Sequence, residues 1–146
     1  MREILFRGKR VDTGEWVEGN YCSRVDIGVT LHCIQQFIKD ANSKMIKIST
    51  YEIIPSTVGQ YTGLKDKNGT KIFEGDLVKI EAVRPSLDAY FDPLKADYSE
   101  YLDEEDEVKM IEGMWGIDTG KNDLGLIPIG SYETKWVEVT GNIHDK

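Results

Sequence analysis

Five consecutive carboxylates, Asp103-Glu104-Glu105-Asp106-Glu107, form the densest charge in the chain, and Tyr90, Tyr98 and Tyr101 are interleaved with the acids just upstream. Two kinds of chemistry use carboxylates in number. A converging pair can move protons, and a fixed negative surface can dock on a basic partner or imitate a phosphate backbone. A contiguous run supplies no converging pair, and its commonest role is a solvated face that keeps a protein soluble. The functional expectation is therefore docking, with Asp97–Glu107 as the contact and Asp103, Glu104, Glu105, Asp106 and Glu107 at its centre.

Other chemistry-bearing residues are sparse. Cys22, His32, Cys33 and His144 are the soft metal ligands, but structural zinc sites space their ligand pairs two to four residues apart. Here the close pair is adjacent, so a strand would send the two side chains to opposite faces. The two cysteines read as free thiols. Asp66-Lys67-Asn68-Gly69 looks like the start of a calcium loop, which needs Gly at position six and Glu at position twelve. Counting from Asp66 those places hold Lys71 and Leu77. With two histidines, one in a strand pattern and one near the end of the chain, no nucleophile, base and orienting group can be assembled. No metal, cofactor or catalytic residue is expected, and a hydrolase ranks third among the readings.

Basic residues concentrate at Arg7-Gly8-Lys9-Arg10 and Lys65-Asp66-Lys67. Small barrels bind oligonucleotides through basic strands carrying aromatic rings, so Tyr61, Lys65 and Lys67 form the alternative face, one for nucleic acid. A pI near 4.8 weighs against it. The net charge of −8 is local: between Asp88 and Glu107 nine acids face one base, Lys95, and the rest of the chain is balanced.

The elements that must position these residues read as strands. Asn68-Gly69 fits a two-residue type I′ hairpin loop joining Gly63–Lys67 to Thr70–Phe73. Glu74-Gly75-Asp76 then turns the chain into Leu77–Val83, where Lys79 and Glu81 alternate with apolar neighbours. No crossover of a dozen residues fits between these strands, which excludes a parallel α/β fold. Asp12-Thr13-Gly14 marks a first hairpin, and Asp26 to Cys33 alternates in period two, the most regular strand of the sequence. Met45–Ile48 and Lys135–Ile143 read as further strands. Pro55 confines the Tyr51–Pro55 stretch to an edge or a strand start.

Arg84 to Glu107 breaks the pattern, and Ala96 to Asp106 suits a short acidic helix inside an excursion near residues 85–107. Strand character resumes from Val108 to Ile117. The expected fold is mainly β, a single domain over 1–146, as an antiparallel partly closed barrel or packed sheets. Trp16, Trp115 and Trp136 are its expected core anchors. The longest early apolar run, Ile4-Leu5-Phe6, is short of a signal sequence, and no membrane span is expected. β domains with exposed edges often pair them, so a homo-oligomer is also expected.

Three stretches resemble one family. MREILFRGKRVDTGEWVEG (Met1–Gly19), TVGQYTGLKDKNGTKIFEGDLVK (Thr57–Lys79) and VEVTGNI (Val137–Ile143) are similar to the YopX family of phage and prophage proteins. Relatives often continue past the Gly-Asn-Ile, whereas this chain stops at His144-Asp145-Lys146. The resemblance implies a mostly β fold, phage or prophage origin, and action in the cytoplasm of a host bacterium. It carries no activity and no catalytic residues. The resulting expectation is a non-enzymatic accessory protein that binds a host or phage macromolecule.

Overall fold

Glycines and short polar turns dictate where this chain reverses, and the computed structural model, which describes residues 3–85, 99–111, 113–118, 126–129 and 134–145, shows strands between them. Eleven strands and one 3₁₀ turn are present among the described residues, with no α-helix. The fold is mainly β, as the alternation predicts. Contacts divide the chain into two compact units, Met1–Gly63 and Leu64–Lys146.

In the first unit β1 (Phe6–Lys9) turns through Asp12-Thr13-Gly14 into β2 (Trp16–Asp26), with Gly14 at φ +72°. Arg10 holds the loop by an ion pair to Asp12 at 2.7 Å, and its guanidinium lies over the Tyr51 ring at 4.4 Å. β3 (Val29–Lys39), β4 (Ile46–Glu52), a 3₁₀ turn (Pro55–Thr57) and β5 (Gly59–Lys65) follow. The strands lie in the order β4-β3-β2-β1-β5. After β4 the chain returns to the end of β1: Arg10 bridges Ile53, Val11 N–H donates to the Glu52 carbonyl and Ile54 N–H to that of Lys9. This unit is thus a partly closed antiparallel barrel. Val17, Ile34 and Ile53 fill it, flanked by Phe6, Tyr21, Tyr51 and Val58.

In the second unit the end of β5 turns at Asp66–Thr70 into β6 (Lys71–Phe73), and Glu74-Gly75 turns it again into β7 (Asp76–Pro85). β8 (Ser99–Ile111), β9 (Met114–Asp118), β10 (Leu126–Pro128) and β11 (Thr134–Asn142) complete a sheet in the order β10-β9-β8-β7-β11. Pro128 sits in the edge strand β10, where its missing N–H costs least. The alternation of β7 sends Val78 and Ile80 into a core with Ile72, Val108, Trp115, Ile117, Ile129 and Val137.

Four expectations are corrected. The acidic stretch is not a helix: Ser99–Ile111 is one strand, paired with β7 from Leu77↔Glu107 to Pro85↔Ser99. Glutamate favours helix only weakly, and a ladder with Lys79 opposite Glu105 overrides that preference. The Asn68-Gly69 hairpin exists but not as type I′, since only Gly69 has positive φ (+83°) and its N–H closes a turn onto Asp66. The two-residue loop with both residues at positive φ is Ile27-Gly28, at +47° and +76° between the paired Asp26 and Val29. The expected Asp26–Cys33 strand therefore starts later, because Ile27 belongs to the turn. Of the three tryptophans only Trp115 is buried; Trp16 is half-buried beneath Arg7 and Lys9, and Trp136 is half-buried on the outer face of β11.

Candidate functional site

Strand pairing fixes the register of the acidic run. Register sets Asp103, Glu105 and Glu107 opposite Glu81, Lys79 and Leu77, and Glu104 and Asp106 opposite the core residues Ile80 and Val78. Alternate residues of a strand share a face, so Asp103, Glu105 and Glu107 occupy one face at intervals of about 6.6 Å. Glu105 is exposed; Asp106 and Glu107 are half-buried. The Asp106 carboxylate accepts the N–H of Glu107 at 2.7 Å, and Glu107 pairs with Lys109 at 3.1 Å. The hydrogen bond that Lys109 donates to Glu107, and the Glu107 charge, raise the Lys109 pKa.

β11 extends the same face. Trp136 lies opposite Glu81 and Glu138 opposite Lys79. The Trp136 indole N–H donates to Glu81 at 2.6 Å, and Thr140 donates to Glu105 at 3.0 Å. Lys67, from the Asp66–Thr70 turn, sits 4.2 Å over the Trp136 ring and 2.8 Å from the Glu138 carboxylate. Its hydrogen bond and charge hold the Glu138 pKa below the usual carboxylate range. The face is thus a ladder of carboxylates braced by one indole and two lysines. It can present fixed negative charge, and its one hydroxyl–carboxylate contact, Thr140 to Glu105, has no third group orienting the carboxylate among the described residues.

The turn that delivers Lys67 is set by Asp66, which is 8% exposed. Its carboxylate accepts N–H groups from Asn68 (2.8 Å), Thr70 (2.9 Å) and, across the sheet, Val139 (3.1 Å). A second buried polar knot lies at the Glu74-Gly75 turn. There Asp76 accepts from Phe73 N–H at 2.8 Å and from the Asn142 amide at 3.3 Å. Gly75 N–H donates to Val108, and Ile143 N–H to Gly75. Neither aspartate was singled out from the sequence as a structural anchor, although an aspartate two residues before Asn-Gly, or directly after a glycine, is the signal that could have found them.

The other predicted residues do not assemble as expected. Tyr61 is 5% exposed and offers no ring for a base to stack on. Lys65 is exposed and Lys67 is engaged by Trp136 and Glu138. His32 meets the Tyr21 hydroxyl at 2.6 Å with the two rings stacked, and Cys33 is buried directly opposite Cys22, both thiols free. No group of three or more His, Cys, Asp or Glu suited to a metal is found among the described residues. A depression of about 550 Å³ in the first unit is lined by Glu18, Asn20, Gln35, Gln36 and Phe37, among others, and no His, Cys, Ser or Thr borders it. Asp88, Asp92 and Asp97, with Tyr90 and Tyr98, lie outside the described residues.

A family model described as YopX protein matches residues 5–146. No curated protein and no solved structure matches the chain.

Proposed function

The chain belongs to the YopX family, and from that premise we propose that it is a non-enzymatic phage or prophage accessory protein, acting in the host cytoplasm, that binds a basic surface of a host or phage macromolecule through the outer face of β8, β7 and β11. What supports this reading is one observation: the acidic run is a strand held in register, with Asp103, Glu105 and Glu107 on one face. Fixing charges in a sheet removes the entropy a flexible acidic loop would lose on docking. Such docking is steered by charge and is screened by salt.

The test is capture from infected-host lysate by the intact chain and by a D103N/E105Q/E107Q variant, each at two salt concentrations. The intact chain is expected to retain a partner at about 0.1 M salt and release most of it near 1 M, where the screening length falls from about 10 Å to about 3 Å. The variant should retain far less at low salt. Equal capture by both chains, or capture indifferent to salt, refutes the acidic face as the contact. A captured nucleic acid would restore the alternative reading.

A further inference from the structure

β4 ends the strand order of the first unit, so no strand is paired to its outer edge among the described residues. Hydrogen-bond parity shows what that edge offers. Ile53 N–H donates to His32, so the odd-numbered residues here face β3 and the even-numbered ones face outward. The open groups are therefore those of Ile46, Ile48 and Thr50; the next carbonyl in the series, Glu52, is already taken by Val11 N–H. On one face of this edge Ile46 and Ile48 are 63% and 56% exposed, and Phe37, directly opposite Ile48, is 54% exposed. Soluble proteins blunt an edge with inward charges, proline or bulges. β8 follows that practice, because its acidic half has only β7 paired beside it among the described residues. β4 carries one lysine, a glutamate at its last position, no proline and an exposed apolar patch at Ile46 and Ile48.

We propose that β4 pairs antiparallel with β4 of a second copy of this chain, about a two-fold axis at Ile48, making one sheet continuous through both copies. The sequence of the edge is complementary to itself. A two-fold pairing that uses all three open residues sets Ile48 against the partner's Ile48 and Ile46 against the partner's Thr50. The same register brings Lys44, just before the strand, level with the partner's Glu52 at each end, and both side chains are exposed. Opposite charges thus meet twice while two Phe37–Ile48 patches merge into one. Shifting by one pair in one direction would set Ile46 against Glu52 and call on a carbonyl that Val11 already holds, and in the other would set Thr50 against Lys44, which lies outside the strand. A strand from an unrelated protein would not supply the reciprocal charges.

The experiment is sedimentation velocity on the full chain over a concentration series, with circular dichroism as the check on folding. The intact chain is expected to dimerise. Ile48→Lys sets two like charges against each other at the axis and should weaken the dimer at least about tenfold. Lys44→Glu and Glu52→Lys should each weaken it by roughly three- to tenfold, and the double exchange should restore it. A chain that stays monomeric throughout overturns the proposal. A dimer indifferent to Ile48→Lys, or one weakened by both single exchanges and not restored by the double, overturns it equally.

Discussion

Asp66 shows how one carboxylate can decide a local structure. Burial pushes its pKa up, but amides of Val139, Thr70 and Asn68 donate to the charged form and outweigh that, so the folded pKa lies below the usual value. A carboxyl depressed on folding stabilises the protein above its unfolded pKa near 4, and this contribution is lost as the pH falls through the folded value. Asp66→Ala should destabilise by about 3 kcal/mol, since it strands buried N–H donors. Asp66→Asn, which keeps one acceptor, should cost less and flatten the loss of urea midpoint between about pH 5 and pH 2. Chemical unfolding at a series of pH values measures both. The sequence marked this position only as a turn and a failed calcium loop. Its partner Val139 lies 73 residues away, a distance over which local patterns say nothing.

Hairpins were the most legible elements, and their details the least. The Asp12–Gly14 and Gly75 turns sit where glycine placed them. Yet Ile27-Gly28 took the doubly left-handed loop that Asn68-Gly69 was expected to form, because Asp26 and Val29 pair and leave two residues for the loop. A β-branched residue at positive φ is strained by about 1–3 kcal/mol, and Ile27 is 98% exposed, so no packing offsets that cost. Ile27→Asn should raise stability by about 1 kcal/mol, and a thermal melt reads it directly. For the acidic strand the composition misled. Its residues favour helix or loop when read alone, and pairing with β7, invisible to periodicity, made them a strand. The acidic run was therefore located by charge and misjudged in geometry.

At the scale of the whole chain, charge and apolar surface pull in opposite directions. The net charge of −8 opposes association of copies, and acidification toward the pI near 4.8 removes that repulsion. Turbidity should peak near that pH, and the D103N/E105Q/E107Q variant should peak at a higher one because it starts with fewer acids to neutralise. Family resemblance reached this scale where periodicity could not. Within the second unit two of its three stretches meet, through Asp66 with Val139 and Asp76 with Asn142. The pairing of β7 with β11 has a consequence in time. The amide that satisfies Asp76 is made 66 residues after it, so at 5–20 residues per second the ribosome takes roughly 3–13 s to supply it. The strands of the barrel unit are all synthesised before that interval begins. Nascent β7 must wait through it with one edge unclaimed, and a chaperone or a neighbouring nascent chain would find it then.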